Sequence, residues 1–327
     1  MSKPQKNQTF HLTEFLWDIW CVVSIIGIWP RFIEPNLLQV SRHRIGLDQL
    51  PESLKGLKIV QFSDLHLQQS VSNRFLRKLA RKIKAADPDL LVFTGDFLCY
   101  SHLSKEDRGR LQAFLNGLEA HYGCYAIFGN HDYAQYVSIN DKGEYDLLPE
   151  EENRSLIKRG FDRLLKTVTL AKKVTPQARS VQTNETLIAL LQKTPFKILD
   201  NSHRKIKVKE SYLNICGLGE YTLGKMDPEK TFQGYDKGFP GLILLHNPDG
   251  LPLLQDYPGE IVLCGHTHGG QVNLPWMWRK FTLMENERFK RGLIHDEGRC
   301  IYVNRGIGSC FSFRWFAIPE LLVLTLE

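Results

Sequence analysis

From residue 57 onward, short apolar runs alternate with segments of helical periodicity, the pattern of an α/β domain. Leu57–Phe62, Asp89–Thr94 and Cys124–Phe128 read as buried strands, with helices over Asn73–Ala86 and Asp107–Ala120 between them. In the first of these helices Phe75, Leu76 and Leu79 share one face, and the remainder is strongly basic. Strand runs return at Leu213–Cys216, Leu242–Leu245, Ile261–Cys264, Cys300–Val303 and Leu321–Leu326. Between Asp141 and Gln192 the rhythm changes to a helical pattern without a strand run. Ile157, Phe161, Leu164, Leu165 and Val168 recur at i, i+4, i+7, i+8 and i+11. A helical cap inserted at about residues 141–195 is predicted. Its span from Glu151 to Val181 holds eight basic residues against three acidic ones. Lys158, Arg159, Arg163 and Lys166 are expected to hold anionic headgroups, and the stripe to cover the site or cradle acyl chains; the other reading is a solvated basic face and a stripe that only docks the insert onto the core.

The N-terminus has a different texture. From Phe15 to Trp29 it is mostly apolar, with Asp18 inside and Pro30-Arg31 closing it. At about 1.5 Å per residue the stretch is too short for a hydrocarbon core roughly 30 Å thick. Gly27-Ile28-Trp29-Pro30 is a poor signal-peptidase site, while Trp17, Trp20 and Trp29 suit a lipid–water boundary. Residues 1–50 are therefore expected to form a membrane-interfacial segment and linker, with one catalytic unit over 51–327. The segment is predicted to lie in the membrane without crossing it; the other reading is a helix packed on the domain's own surface.

Composition narrows the class. With 43% hydrophobic and 24% charged residues, 327 residues can bury a sizeable core. A formal charge of +6 fits an anionic partner such as a phosphorylated lipid or a bilayer surface, without suggesting nucleic acid. No obligate protein partner is predicted. Seven cysteines, an odd number with no C-x-x-C pair, are the usage of reduced cytosolic thiols.

The chemistry sits where apolar strands end. Asp64-Leu65-His66, Gly95-Asp96, Gly129-Asn130-His131-Asp132, His246-Asn247 and Gly265-His266-Thr267-His268 each follow a strand run. Strand ends in open α/β sheets converge on a crevice, so residues distant in sequence can surround one site. Two apart in extended chain, Asp64 and His66 project to the same side, as do His266 and His268. Carboxylate, imidazole and amide oxygen without thiolate favour Mn²⁺, Fe²⁺ or Zn²⁺, and histidine argues against a plain Ca²⁺ or Mg²⁺ site. Singly, each piece is ordinary turn chemistry. Five in order, each after a strand, are not.

This ordered set, DLH…GD…GNHD…H…GHTH, resembles the calcineurin-like metallophosphoesterases from Leu57 to Glu327. The resemblance implies a sandwich of two mixed β-sheets flanked by helices, with a two-metal site at the strand ends. It assigns Asp64, His66 and His268 to one metal, Asn130, His246 and His266 to the other, and Asp96 to both. It also makes His131 the proton or hydrogen-bond donor to the leaving oxygen, with Asp132 placed to orient it. Two cations would polarise the attacking water, hold phosphoryl oxygens and neutralise developing charge.

Flanking segments are similar to those of a membrane-associated bacterial subgroup: Glu34-Pro35, Gly217-Leu218-Gly219-Glu220, His246-Asn247-Pro248-Asp249, Gly269-Gly270-Gln271 and Asn304-Arg305-Gly306-Ile307-Gly308. That resemblance implies Mn²⁺-dependent cleavage of UDP-2,3-diacylglucosamine to 2,3-diacylglucosamine 1-phosphate and UMP, at the cytoplasmic face of the inner membrane. A phosphodiesterase acting on another lipid or nucleotide, or a non-catalytic scaffold, are the alternatives. Arg305 and Arg314 are expected to reach the substrate phosphate, since arginine suits bidentate phosphate binding; the other reading, above all for Arg314, is a surface salt bridge.

Overall fold

The computed structural model describes residues 12–148, 168–275 and 278–327. Two six-stranded mixed sheets form its centre. The first has the order β1 (Gln39–Ile45), β14 (Glu320–Leu326), β2 (Lys58–Phe62), β3 (Leu90–Thr94), β4 (Cys124–Ile127), β7 (Phe196–Ile198). The second runs β12 (Gly292–Asp296), β13 (Arg299–Val303), β11 (Ile261–Cys264), β10 (Gly241–Leu244), β9 (Ser211–Gly217), β8 (Ser202–Val208). Strands β2, β3, β4 and β7 are mutually parallel, as are β9, β10, β11 and β13. Their carboxyl ends therefore point the same way within each sheet.

The unbroken apolar runs follow from burial on both faces. Ile59, Leu90, Val92 and Ile127 of the first sheet meet Ile215, Leu242, Leu244 and Leu263 of the second in the layer between them. The alternate residues Val60, Phe62, Leu91 and Phe93 face helices α2 (Asn73–Ala86) and α3 (Lys105–Asn116). Ile243, Val262, Ile301 and Val303 fill a third layer outside the second sheet with Phe232, Leu251 and Leu254. Ser72 and Ser104 cap α2 and α3, each accepting an N–H from the residue three further on.

Three expectations need correction. Strand β1 lies inside the segment read as linker, and it pairs along its whole length with β14. The expected cap opens with a strand, β6 (Tyr145–Leu147), paired antiparallel to β5 (Val137–Ile139). Further on, helix Glu185–Leu191 turns Leu187, Leu190 and Leu191 into the helix-side core, so this part belongs to the main domain. Residues 149–167, with Lys158, Arg159, Arg163, Lys166 and most of the stripe, lie outside the described residues.

The third correction concerns the N-terminus. Helix α1 (Leu12–Val23) continues through π-helical turns over Ser24–Ile33 to a 3₁₀ turn at Glu34–Asn36. Thr13–Asn36 is thus one 24-residue helical segment, long and apolar enough by length and composition to cross a membrane. The length argument against crossing does not hold, because the helix carries on through Pro30. Its C-terminal end is bolted to the domain: Arg31 Nη1 donates to the Ser312 carbonyl (2.7 Å), the Arg314 N–H to the Pro30 carbonyl (2.8 Å), and the Ala317 N–H to Glu34 Oε1 (2.5 Å).

Candidate metal centre

Five strand ends deliver the donor groups to one crevice. Asp64 and His66 follow β2, Asp96 follows β3, Asn130 and His131 follow β4, His246 follows β10, and His266 and His268 follow β11. The chain must turn sharply there to aim its side chains inward. Asp64, His66, Asp96, His266 and His268 all adopt left-handed backbone, with φ between 43° and 70°. Such residues cost on the order of 1–3 kcal/mol each and persist only where the surroundings hold them. Gly129 shows how closely the backbone approaches: a Cβ on it would lie 2.6 Å from the Asp96 nitrogen and 2.7 Å from His246 Cε1.

The seven expected ligands form two adjoining groups. Asp64 Oδ1 is 4.0 Å from His66 Nε2 and 3.8 Å from His268 Nε2, and the two imidazole nitrogens are 3.1 Å apart. In the other group His266 Nδ1 lies 3.1 Å from Asn130 Oδ1 and 3.2 Å from His246 Nε2. Between them sits Asp96, whose Oδ2 is 3.4 Å from His66 Nε2 and 3.3 Å from His246 Nε2. His66 Nδ1 faces the Leu98 carbonyl at 3.0 Å and His246 Nδ1 faces the Thr94 carbonyl at 2.7 Å. A carbonyl only accepts, so both Nδ1 atoms carry a proton and each Nε2 atom is turned toward the Asp96 oxygen. Against the opposing effect of burial, the Asp96 carboxylate, with Glu220 and Asp64, pulls the His246 pKa well above its ordinary value. This place calls for positive charge, which a metal ion on the two Nε2 atoms would supply. The tautomer-fixing carbonyls are the usual outer support of metal-binding histidines. The donor set therefore fits two divalent cations sharing Asp96.

His131 stands beside this cluster without joining the seven. Its Nδ1 accepts the Tyr100 N–H at 2.9 Å, leaving the proton on Nε2. Burial pushes this imidazole down to about 3 and that of His266 likewise, so both are neutral at pH 7. Asp132 does not orient His131. Its Oδ2 accepts the N–H groups of Asp96 (2.8 Å) and Gly129 (2.9 Å), and its Oδ1 that of Leu98 (3.0 Å). It ties the β3 and β4 loops together, and the peptide of Tyr100 sets the ring instead.

Neither expected arginine enters the crevice. Arg314 is wholly buried beneath it, donating to the carbonyls of Arg305 (2.8 Å), Ala317 (2.9 Å) and Gly308 (2.5 Å), with Nη2 3.2 Å from His268 Nδ1. A guanidinium so enclosed cannot reach a substrate. Arg305 pairs with the buried carboxylate of Glu320 at 2.9 Å and supports the loop behind the ligands. The crevice wall instead contains Gln271, part of a segment that carried the resemblance, together with Tyr100, Tyr136, Phe311 and Cys310, which no sequence pattern singled out. Cys310 Sγ lies 3.3 Å from His66 Nδ1 and 3.6 Å from His131 Nδ1. A single cysteine outside any spacing motif gives no advance signal.

Two carboxylates against two divalent cations leave a site with two excess positive charges, built at the mouth of a crevice between sheets. That is an arrangement for phosphoryl chemistry. Residues 57–270 match the family described as calcineurin-like phosphoesterase, and the chain belongs to it. It is a hydrolase that works with two divalent metal ions. Among its relatives, the UDP-2,3-diacylglucosamine pyrophosphatase LpxG of Chlamydia muridarum is 40% identical over 311 residues, covering 91% of this chain and 92% of that protein. The protein of the same name from Chlamydia trachomatis is 38% identical over 327 residues, covering 96% of each. The phosphodiesterase YaeI of Escherichia coli is 24% identical over 301 residues, covering 91% and 92%.

Proposed function

We propose that the chain hydrolyses the pyrophosphate bond of UDP-2,3-diacylglucosamine, giving 2,3-diacylglucosamine 1-phosphate and UMP. The observation that carries this reading is the convergence of Asp64, His66, Asp96, Asn130, His246, His266 and His268, in a chain alike along nearly its full length to two enzymes named for that substrate. Asp64, His66 and His268 would hold one Mn²⁺, Asn130, His246 and His266 the other, with Asp96 between. When bound, the ions supply Lewis-acid polarisation of the phosphoryl oxygens and of the attacking water. The two surplus positive charges match the two negative charges of a pyrophosphate diester.

The chain's own residues do the rest. His131, neutral with its proton on Nε2, donates to the departing phosphate oxygen as the P–O bond breaks. The Tyr100 N–H keeps that proton on Nε2 throughout. Asp132 holds the loops that present Asp96 and His131 at a fixed separation, which limits the reorganisation needed on the way to the transition state. One water is consumed, and each phosphorus leaves as a phosphate monoester.

We read the Thr13–Asn36 helix as the membrane attachment and the domain as lying on the cytoplasmic side of the inner membrane, against an anionic surface. Its seven unbridged cysteines support a reducing compartment. Purified full-length protein in detergent with Mn²⁺, UDP-2,3-diacylglucosamine and phosphorus-31 detection tests the reaction. UMP and the lipid monophosphate should appear in equal amounts and vanish with Asp96→Asn. Release of UDP, or turnover of small phosphodiesters alone, would overturn the substrate assignment.

A further inference from the structure

Two surfaces of the catalytic domain are unusual for one facing water. The first is the 311–316 loop. Trp315 and Phe316 pack beside Trp20, Ile25, Ile28, Trp29 and Ile33 of the N-terminal helical segment and line an apolar groove with them. Phe316 is 57% exposed and adopts φ +56°, a left-handed conformation that a bulky side chain rarely takes. Its carbonyl accepts from Arg291 at 3.1 Å, and the Trp315 N–H and C=O bond to Gln271 and Asn273, so the loop is held in this form. Strain retained to expose an aromatic ring points to something the ring meets. On the helix beside it, Trp17 is 63% and Trp20 55% exposed. The apolar surface is continuous from helix to domain.

The second surface is α2. From Asn73 to Ala86 it carries Arg74, Arg77, Lys78, Arg81, Lys82 and Lys84 with no carboxylate. Among the described residues none of Arg74, Lys78, Arg81 and Lys82 forms an ion pair, and with Phe32, Asn36 and Phe75 they line a groove at the domain end of the helical segment. Lys78 Nζ donates to the Asn36 carbonyl at 3.0 Å, which fixes the groove to that end. Burial, with the charges of Lys82 and Arg74, lowers the Lys78 pKa, the mark of cations crowded without a counterion.

The levels agree. With the stretch before Pro30 in hydrocarbon, Arg31 comes at the boundary, α2 stands beside Asn36 at headgroup height, and Trp315-Phe316 reaches down past Ile33 toward Trp20. Cationic side chains outside and aromatic ones inside that boundary are what a charged bilayer selects. We propose that the Trp315-Phe316 wedge and the cationic face of α2 form one docking surface for an anionic phospholipid bilayer, pressing the crevice against the headgroups. The wedge is directly continuous with the crevice wall through Phe311 and Gln271, whose Nε2 donates to the Phe311 carbonyl at 2.8 Å. A diacylated substrate then presents its pyrophosphate to the site while its chains stay in lipid. This rests on the helix being the membrane attachment.

The test uses the full chain in nanodiscs of phosphatidylethanolamine with or without phosphatidylglycerol. Photoreactive lipids, labelled either in the headgroup or in the acyl chain, report which peptides they reach by mass spectrometry. Headgroup label should attach within 73–86 and acyl label within 311–316, besides 12–36. Arg74→Gln with Lys78→Gln, Arg81→Gln and Lys82→Gln should cut hydrolysis of the lipid substrate about tenfold or more on anionic discs. Trp315→Ser with Phe316→Ser should do so on both kinds of disc. Both variants should hydrolyse bis(p-nitrophenyl) phosphate as the parent does, which also reports that they fold. Label confined to 12–36 would overturn the docking surface while leaving the attachment standing. Label on neither would remove the attachment itself, and loss of both activities together would make these residues structural supports.

Discussion

Arg314 offers the sharpest test of how the site is built, because its sequence position suggests substrate and its surroundings say framework. Arg314→Met keeps the volume and removes the guanidinium. Three carbonyls, of Arg305, Gly308 and Ala317, then lose their donor in a buried place. At about 2 kcal/mol for each bond to a charged donor, the loss is about 6 kcal/mol. Some of it is returned, since burial, outweighing the attraction of Asp64, Glu34 and Glu320, holds the Arg314 pKa down to about 10, a net penalty on the charged form on the order of 3 kcal/mol that the variant no longer incurs. A net destabilisation of about 3 kcal/mol remains, or a lowering of the melting temperature by roughly 4–5 °C for a chain of this length. His268 also loses the group 3.2 Å from its Nδ1, so bound metal should fall. Thermal unfolding in detergent and metal analysis of the dialysed protein read both effects. A variant that melts with the parent, keeps its metal and shows only a raised KM would refute the reasoning and return Arg314 to the substrate.

Other outcomes follow from the same geometry. His131→Ala should lower kcat by about 10²–10⁴-fold while metal content stays unchanged, and loss of metal would make it a ligand. Chelation should abolish turnover and Mn²⁺ restore it; Asp96→Asn, which touches both ligand groups, should bind less metal at both positions than Asp64→Asn does. Asp249, buried and accepting the N–H groups of Glu285 and Asn286, has its pKa raised to about 6 by burial. The folded state then holds its proton longer than the unfolded chain, so this group's contribution to stability falls as pH rises from about 4 to about 6 and is flat above. Asp249→Asn should remove that slope from denaturation curves taken across the window, and an unchanged slope would show that another group titrates there.

What the sequence hides is as orderly as what it shows. The long apolar runs marked β2, β3, β4, β9, β10, β11, β13 and β14, and these are the interior strands of the two sheets. The strands missed in these sheets are β1, β7, β8 and β12, which are the four edges, and the short separate β5–β6 pair was missed as well. Gln39–Ile45 and Ser202–Val208 are dominated by arginine, lysine and histidine. Charged edges block pairing with other chains, and the same charges erase the alternation by which strands are recognised. The donors were legible because ligand chemistry fixes residue type at strand ends. The arginines misled for the converse reason: binding carbonyls and binding phosphate ask for the same guanidinium. Only three-dimensional enclosure separates the two roles.

Strand β14 lies between β1 and β2, so the sheet that carries Asp64, Asp96 and Asn130 has a gap until residue 326 has been added. The helical segment leaves the ribosome some three hundred residues earlier. On the proposed reading of that segment as the membrane attachment, the chain is committed to it long before the metal-bearing loops have a finished sheet beneath them, and β1 waits as an unpaired strand close by. Its arginines and histidine would keep it from joining a neighbour in the interval. On the same reading, a sheet able to present all the ligands is complete only late in synthesis, with the chain already at its attachment.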